Sequence, residues 1–481
     1  TSPPVRTKIP RALVIGACVL VALPCVGAAA LLGRVAYGPL DITPLVRPFL
    51  PITLIKGGHG RPPAVSLRLD HAELRWNGLR EGMGSPIALS LHDLSFIAPD
   101  NTAPNTVHEA DVTLDPLALL HGGIKLRTIT IKGVHLALRR AHDGSVGFDL
   151  DLPAAPRSHQ NTGLQTYGLE EAHIEDATIS MDDQLTGTRW LASDIGVTLH
   201  LHTIGHGTGV TGDVKLSIAS QSTPNTTLVL NAHGTPADNN QKIAWHLSTN
   251  TLNLAAFAPL RPELAKINLP LSITADTLFI PSTKAAWLLP STLELTALLG
   301  AGQVEAGGSH YEVDHGKANI AVHLDQTQPQ GTPAQISIPS ITLLLRNPGT
   351  PDDATRALSV NVNGALDASD LVEPGRITAK LSVAIPHVAF EDLTYYWPSL
   401  AAKGGKKWVS ENITAGTATN LATTAELSST KGWRGLKLSS IQGGIDATGL
   451  TIHWLRPISP LQGLDARLDI VSPDKLSIHF D

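Results

Sequence analysis

From Val65 onward, apolar side chains recur at alternate positions, and this period of two constrains the fold more than any other feature. Val65, Leu67 and Leu69 alternate with Ser66, Arg68 and Asp70. The pattern returns at Ile195, Val197, Leu199 and Leu201, at Leu358, Val360 and Val362, and at Ile377, Ala379, Leu381, Val383 and Ile385. Successive side chains of a strand point to opposite faces, so each run predicts a strand with one apolar and one wet face. Roughly twenty such runs fit after Val65. The 42 Gly and 34 Pro disfavour long helical bundles, and Asp143-Gly144, Asn347-Pro348-Gly349 and Asn363-Gly364 read as turns between strands. No fixed-length repeat is present, which excludes a propeller or a leucine-rich solenoid. Ile129 and Ile131 face one way, and after Gly133 the apolar set becomes Val134, Leu136 and Leu138, the signature of a bulge or tight bend. Short helices are expected at Asp115–Leu120, at Ala255–Lys266 and, most clearly, around Glu391–Asn412.

A different pattern precedes the strands. Ala12–Gly33 is a run of 22 residues without a charge, bracketed by Arg11 and Arg34. At about 1.5 Å per residue it is long enough for a bilayer core of about 30 Å. Pro24 is tolerable within a membrane helix. Arg6, Lys8 and Arg11 lie upstream, whereas no base follows Arg34 until Arg47. The positive-inside rule therefore places residues 1–11 in the cytoplasm and the chain after Gly33 across the membrane. A cleaved signal ending at Gly27-Ala28-Ala29-Ala30 competes with a retained anchor, but the apolar stretch is too long for it. Ile15-Gly16-Ala17-Cys18 resembles a lipoprotein box with too short an apolar region before it. After Cys25 the chain has no cysteine, so packing rather than disulfides must hold it together.

Composition narrows the function. The net charge of −6 with dispersed signs argues against nucleic-acid binding. Charged residues make up 16% of the chain, below the usual figure of about 25%. Gly207-Thr208-Gly209-Val210-Thr211-Gly212 fits a dinucleotide fingerprint, but the alternation of Val214, Leu216 and Ile218 that follows predicts a strand, so the segment reads as a hairpin loop. His200, His202 and His206 have a spacing that suits zinc, yet no carboxylate or cysteine is adjacent in sequence, and a wet strand face explains them. Glu170-Glu171, Asp182-Asp183 and Asp352-Asp353 read as turn and surface charges. No nucleophile elbow, zinc-protease or P-loop motif occurs, so no enzymatic activity, catalytic residue, metal or cofactor is expected.

Two blocks carry a family resemblance. The first runs from Leu117-Ala118-Leu119-Leu120-His121-Gly122 through Gly133-Val134 and Arg139-Arg140 to Asp143-Gly144-Ser145. The second contains Tyr395-Tyr396-Trp397-Pro398, Trp408-Val409, Glu411-Asn412-Ile413 and Gly416, then Gly443-Gly444-Ile445 and Gly449-Leu450. With the anchor, these resemble AsmA-like proteins of diderm bacteria, in particular the YhdP-type branch. Relatives often carry Arg just before the second Trp, where this chain has Lys406-Lys407. The motif residues are Trp397, Pro398, Trp408, Asn412 and Gly416. The resemblance implies a cytoplasmic tail (1–11), an anchor (12–33), a Pro-rich juxtamembrane segment (34–64), an AsmA-like N-terminal β region (65–155), an extended β-groove (156–375) and the start of a C-terminal β domain (376–481) that continues past Asp481.

The expected fold is thus all-β with one N-terminal transmembrane helix, a long curled antiparallel sheet forming a hydrophobic groove, and few short helices. The resemblance implies a single-pass inner-membrane protein with its bulk in the periplasm, passing phospholipid or another diacyl lipid between inner and outer membrane. Outer-membrane or periplasmic proteins are further expected partners. The mostly aliphatic apolar supply suits a lining for hydrocarbon chains as well as it suits an ordinary core. Phase selects Val197, Leu199, Leu201, Val360, Val362, Leu381, Val383 and Ile385 as candidate groove lining. The alternative is a membrane-anchored scaffold for outer-membrane assembly that carries no lipid.

Overall fold

The computed structural model describes residues 33–49, 52–55, 65–76, 87–97, 105–115, 125–140, 146–148, 169–184, 187–204, 207–220, 223–239, 241–258, 262–280, 290–325, 333–349, 356–370, 375–397, 399, 403–432, 435–472 and 475–480. Most of them lie in one large antiparallel sheet of 26 strands that does not close. In chain order the first strands are β1 (Leu40–Asp41), β2 (Ile52–Ile55), β3 (Val65–Arg68), β4 (His71–Trp76), β5 (Ile87–Ile97), β6 (Asn105–Leu114) and β7 (Leu126–Arg140). Next come β8 (Val146–Phe148), β9 (Glu171–Asp183), β10 (Thr188–Ile204), β11 (Gly207–Ser220), β12 (Thr223–Ala237), β13 (Lys242–Thr249), β14 (Leu252–Asn253) and β15 (Ile267–Asn268). They are followed by β16 (Pro270–Phe279), β17 (Thr292–Leu299), β18 (Gly302–Ala306), β19 (Ser309–Leu324), β20 (Ala334–Arg346) and β21 (Leu358–Ala368). The last are β22 (Ile377–Ala389), β23 (Ile413–Ser429), β24 (Lys437–Ile452), β25 (Leu461–Ser472) and β26 (Lys475–Phe480). Among the described residues the helices are short: α1 (Thr43–Val46), α2 (Phe390–Tyr396), α3 (Lys403–Asn412) and three single turns of 3-10 helix.

Contacts group the chain into two units. One comprises Thr1–Arg139, Ser145–Met181 and Ser193–His200; the other comprises Arg140–Gly144, Asp182–Ala192 and Leu201–Asp481. In the first unit β1 pairs with β4, and β4, β5, β6 and β7 follow one another antiparallel. The phase change at Gly133 falls within the continuous strand β7 and is not a bulge. Val107 faces Val134 and Glu109 faces Lys132, so no residue is extra. Gly133 takes φ 61°, and a Cβ there would come within 2.8 Å of the His108 Cβ. Asp93, Asp176 and Asp194, on β5, β9 and β10, also have positive φ, a conformation that short polar side chains tolerate better than most.

In the second unit β11, β12, β13, β16, β17, β19, β20, β21, β22, β23, β24, β25 and β26 pair antiparallel in that order. Two expected loops are strand instead. Gly207–Gly212 opens β11, with Gly212 at φ 137°. Asn363-Gly364 lies inside β21, because Gly364 occupies an inward position where a Cβ would collide with the Lys380 carbonyl and the Leu381 side chain. Asn347-Pro348-Gly349 does turn the chain, with the Gly349 N–H donating to Asn347 Oδ1 at 3.1 Å.

The helical expectations divide. Ala255–Lys266 resolves into 3-10 turns at Leu254–Phe257 and Pro262–Lys266, the first capped by Asn253, whose side chain accepts from the Ala255 N–H. The expected helix over Glu391–Asn412 is two helices. A residue before proline is forced toward extended backbone, and Trp397, preceding Pro398, adopts φ −72° and ψ 120°, ending α2. Residues 116–120 of the other expected helix lie outside the described residues, as does the expected anchor apart from Gly33. Among the described residues no helix is long and apolar enough to cross a membrane.

Candidate functional site

Cross-strand partners share a face, so the register of the second unit can be read as rows running across the strands. One row holds Leu293, Val322, Ile336, Leu366, Ala379 and Leu427, on β17 through β23. A parallel row on the same face holds Ile273, Ala297, Ala318, Ile341, Val362 and Val383. Between them Gly364 faces Leu381, which faces Ala425. The result is a continuous aliphatic surface. Its central members, among them Ile341, Val362, Leu381, Val383 and Ala425, are only half-buried. A shallow concavity of about 370 Å³ lies over this part of the sheet, but eight of its lining residues, Thr292, Glu294, Ala321, His323, Gln335, Ser337, Ala365 and Asp367, belong to the opposite phase, and only Leu293, Val322, Ile336 and Leu366 to the aliphatic row.

The opposite face is wet. Its middle row runs Asp213, His233, His246, Asp276, Glu294 and Ala321. Asp213 bonds His233 Nδ1 at 2.6 Å, and Asp276 bonds His246 Nδ1 at 2.7 Å. Hydroxyls and amides bridge neighbouring strands: Thr296 donates to Asn319, Asn319 to Ser340 and Thr342 to Asn361. Ser382 bonds Thr424 at 2.9 Å, and Lys380 stands 3.9 Å from Glu426. Polar groups so paired carry little desolvation penalty, while the aliphatic face has no such compensation.

One margin of the aliphatic face is closed. Tyr396, Val388, Ala418, Leu345, Leu358, Val313 and Tyr311 form a buried cluster with Leu269, Leu271 and Ala297. Against it pack Phe390, Leu393, Tyr395, Val360 and Ile385 and also Ile273 and Ala318, so the β16–β19 end of the second row belongs to this core. Tyr395 lies edge-on to Tyr396 at 5.2 Å and to Tyr311 at 6.4 Å between centroids, and its hydroxyl accepts from the Glu312 N–H at 3.0 Å. Burial, and next the charge of Asp392, push the Tyr396 phenol up to about 12. Asp392, only 3% exposed, is held by Arg356 at 2.7 Å and by Asn347 at 3.0 Å. This buried ion pair, invisible in the sequence, ties α2 to the ends of β20 and β21.

The candidate lining residues therefore separate. Val362, Leu381 and Val383 lie together on the half-buried stretch. Val360 and Ile385 share the face but belong to the α2 cluster. Val197, Leu199 and Leu201 are half-buried on β10 and fall on none of these rows. Of the motif residues, Trp397 ends α2 and its carbonyl accepts from Lys406 Nζ at 2.7 Å. Trp408 of α3 is 41% exposed. Asn412 donates to the Trp408 carbonyl at 2.8 Å, closing α3. Gly416 has φ 123°, and a Cβ there would meet Leu450 Cδ2 at 2.9 Å and the Thr448 carbonyl at 3.0 Å. Pro398 lies outside the described residues.

The polar motifs resolve differently from their expectations. His200 does have a carboxylate nearby: Glu171 comes from β9, 3.5 Å from His200 Nδ1 and 3.3 Å from His173 Nε2. Strand pairing supplies that neighbour, and sequence spacing cannot reveal it. The side chain of His202 and the whole of His206 lie outside the described residues. Asp183 is not a surface charge but fully buried, 3.3 Å from Arg140, while Asp182 pairs with Arg189 at 3.5 Å. Asp352-Asp353 lies outside the described residues. In the first unit Thr43 Oγ1 stands 3.0 Å from His71 Nδ1 but also accepts from the Ala72 N–H, so it clamps α1 to β4. Among the described residues no group of three or more His, Cys, Asp or Glu is arranged to hold a metal. Comparison with family models, curated proteins and solved structures returns no match for this chain.

Proposed function

We propose that the second unit carries the acyl chains of phospholipid on its aliphatic face, as a non-enzymatic conduit between inner and outer membrane. On this reading residues 12–33 anchor the chain in the inner membrane and the sheet lies in the periplasm. The observation that supports it most is the pair of aliphatic rows continuing from strand to strand without a polar interruption, buried at Ala297 and Ala379 and half-buried at their other members. Six strands at about 4.8 Å spacing cover about 24 Å. One leaflet's acyl layer is about 15 Å deep, half of a bilayer core, so a lipid tail fits along the row. Burying methylene groups there gains about 0.8 kcal/mol each, and the attraction is non-directional, so a tail is held without being fixed at one point. The wet face keeps the sheet solvated, and the α2 cluster bounds one side of the apolar surface.

The test is mass spectrometry of lipid that co-purifies with the chain, together with transfer of labelled phospholipid between vesicle populations. Bound diacyl lipid displaced by substitutions at Leu381 or Val383 is the expected result. A lipid-free protein that still supports outer-membrane assembly would favour the scaffold reading instead.

A further inference from the structure

Four large apolar side chains of the second unit gather around a single turn. The segment His453–Pro460 joins β24 to β25 and leaves Trp454 67%, Leu455 60% and Ile458 64% exposed. Trp408 of α3 stands edge-on to Trp454, with 6.2 Å between ring centroids. The turn is anchored rather than frayed. The His453 N–H donates to the Asn412 carbonyl at 2.7 Å, the Ile458 N–H to the Leu455 carbonyl at 2.9 Å, and the Arg456 guanidinium to the Glu411 carbonyl at 3.0 Å. Its apolar tips are therefore held in water at a standing cost, and such patches mark interaction surfaces.

The charge around the patch selects the partner. Around it helix α3 and the turn carry Lys406, Lys407 and Arg456 against one acid, Glu411. Lys406 is held by the Trp397 carbonyl, while Lys407, 4.0 Å from Glu411, is exposed. Indole rings and aliphatic tips flanked by Lys and Arg are the composition of a membrane–water interface, where the ring sits at headgroup level and bases meet lipid phosphates. The apolar groups project from one short turn and one helix flank. A bilayer accepts such a tip without the shape complementarity that a protein partner requires.

We propose that this turn is a membrane-docking element that seats Trp454, Leu455 and Ile458 in the interfacial layer of an anionic phospholipid surface, with Lys407 and Arg456 against its phosphates. The inference goes beyond the conduit reading and does not need it, since docking requires no lipid on the aliphatic face. The full chain is held in neutral nanodiscs, so that residues 12–33 are already occupied, and offered target vesicles of phosphatidylcholine with or without about one-third phosphatidylglycerol. Flotation measures capture, and acyl-brominated lipid in the targets reports contact through loss of the Trp454 fluorescence, taken as wild type minus Trp454→Phe. Wild type should be captured by the anionic vesicles and quenched there. Trp454→Ser with Leu455→Ser should lose capture by about tenfold or more while keeping its thermal transition, because both side chains are solvent-facing. Lys407→Ala with Arg456→Ala should weaken capture on anionic targets only. Undiminished capture by the double serine variant, equal capture by neutral vesicles, or unquenched Trp454 would each overturn the proposal, the last assigning the patch to a protein contact. Lipid content of the aliphatic face, measured on the same variants, should not change.

Discussion

Placing a charge at Leu381 separates an open lipid-bearing face from an ordinary core. Leu381 is half-buried, with Gly364 on one flank and Ala425 on the other. Small neighbours leave an aspartate a route to water. Replacing a half-buried leucine forfeits about 1 kcal/mol of apolar burial, and a carboxylate that still reaches solvent adds about 1 kcal/mol more. At about 2–4 °C per kcal/mol for a unit of this size, Leu381→Asp should lower the melting temperature by about 4–8 °C. Ile377 provides the contrast on the same strand and face: it is 0% exposed, packed with Leu324, Ala334 and Ala368. Ile377→Asp buries a charge with no partner and should cost about 4 kcal/mol or more, enough to unfold the region. Ser382→Asp, one residue on and facing the wet side, should change stability by about 0.5 kcal/mol. The assay is thermal unfolding by circular dichroism of each full-length variant, with bound phospholipid measured on those that fold. Leu381→Asp should fold and lose lipid, while Ser382→Asp keeps it. If Leu381→Asp unfolds as completely as Ile377→Asp, the face is a closed core. If both folded variants carry equal lipid, Leu381 has no place in a conduit.

Other variants probe the elements around the face. Arg356→Ala strips the buried Asp392 of its closest cation and should cost about 3 kcal/mol, with faster amide exchange concentrated in α2. Gly416→Val forces a branched side chain into a positive-φ position against Leu450 and should cost about 2 kcal/mol or more by thermal unfolding. The Tyr396 phenol, at about 12 when folded against 10.0 when free, keeps its proton in the native state after the unfolded chain has lost it. Its contribution is therefore fully present below pH 10.0 and lost as the pH rises toward about 12. Tyr396→Phe should flatten that alkaline decline in melting temperature, measured from pH 9 to 12, relative to wild type.

Much of the molecule was legible in the residues, because a period of two has one structural meaning. The alternations at Leu358–Val362 and Ile377–Ile385 became β21 and β22 with their apolar members on one face, as side-chain geometry requires. The helix expected over Glu391–Asn412 runs through Trp397-Pro398, although a residue before proline is forced toward extended backbone, and the structure ends α2 at Tyr396. Local signals failed where strand pairing changed their context. Asn363-Gly364 has turn chemistry, but a glycine facing Leu381 is also what lets two strands approach, and pairing chose the second use. Gly133 reverses the phase of β7 without shifting its register, a distinction the sequence does not contain.

The candidate site divides along the same line. The sequence by itself determined which side chains share a face within a strand, since alternation is a property of one extended chain. Which strands lie side by side, and so whether separate apolar runs merge into one surface, is a long-range matter that tertiary structure decided. Register joined Val362 to Val383 and Leu343 to Val360. It also placed α2 over Val360 and Ile385 while leaving Leu381 and Val383 half-buried. The Asp392–Arg356 pair and the Glu171–His200 contact arise in the same way, from residues distant in sequence. Burial is set by what covers a residue, and that covering comes from elsewhere in the chain.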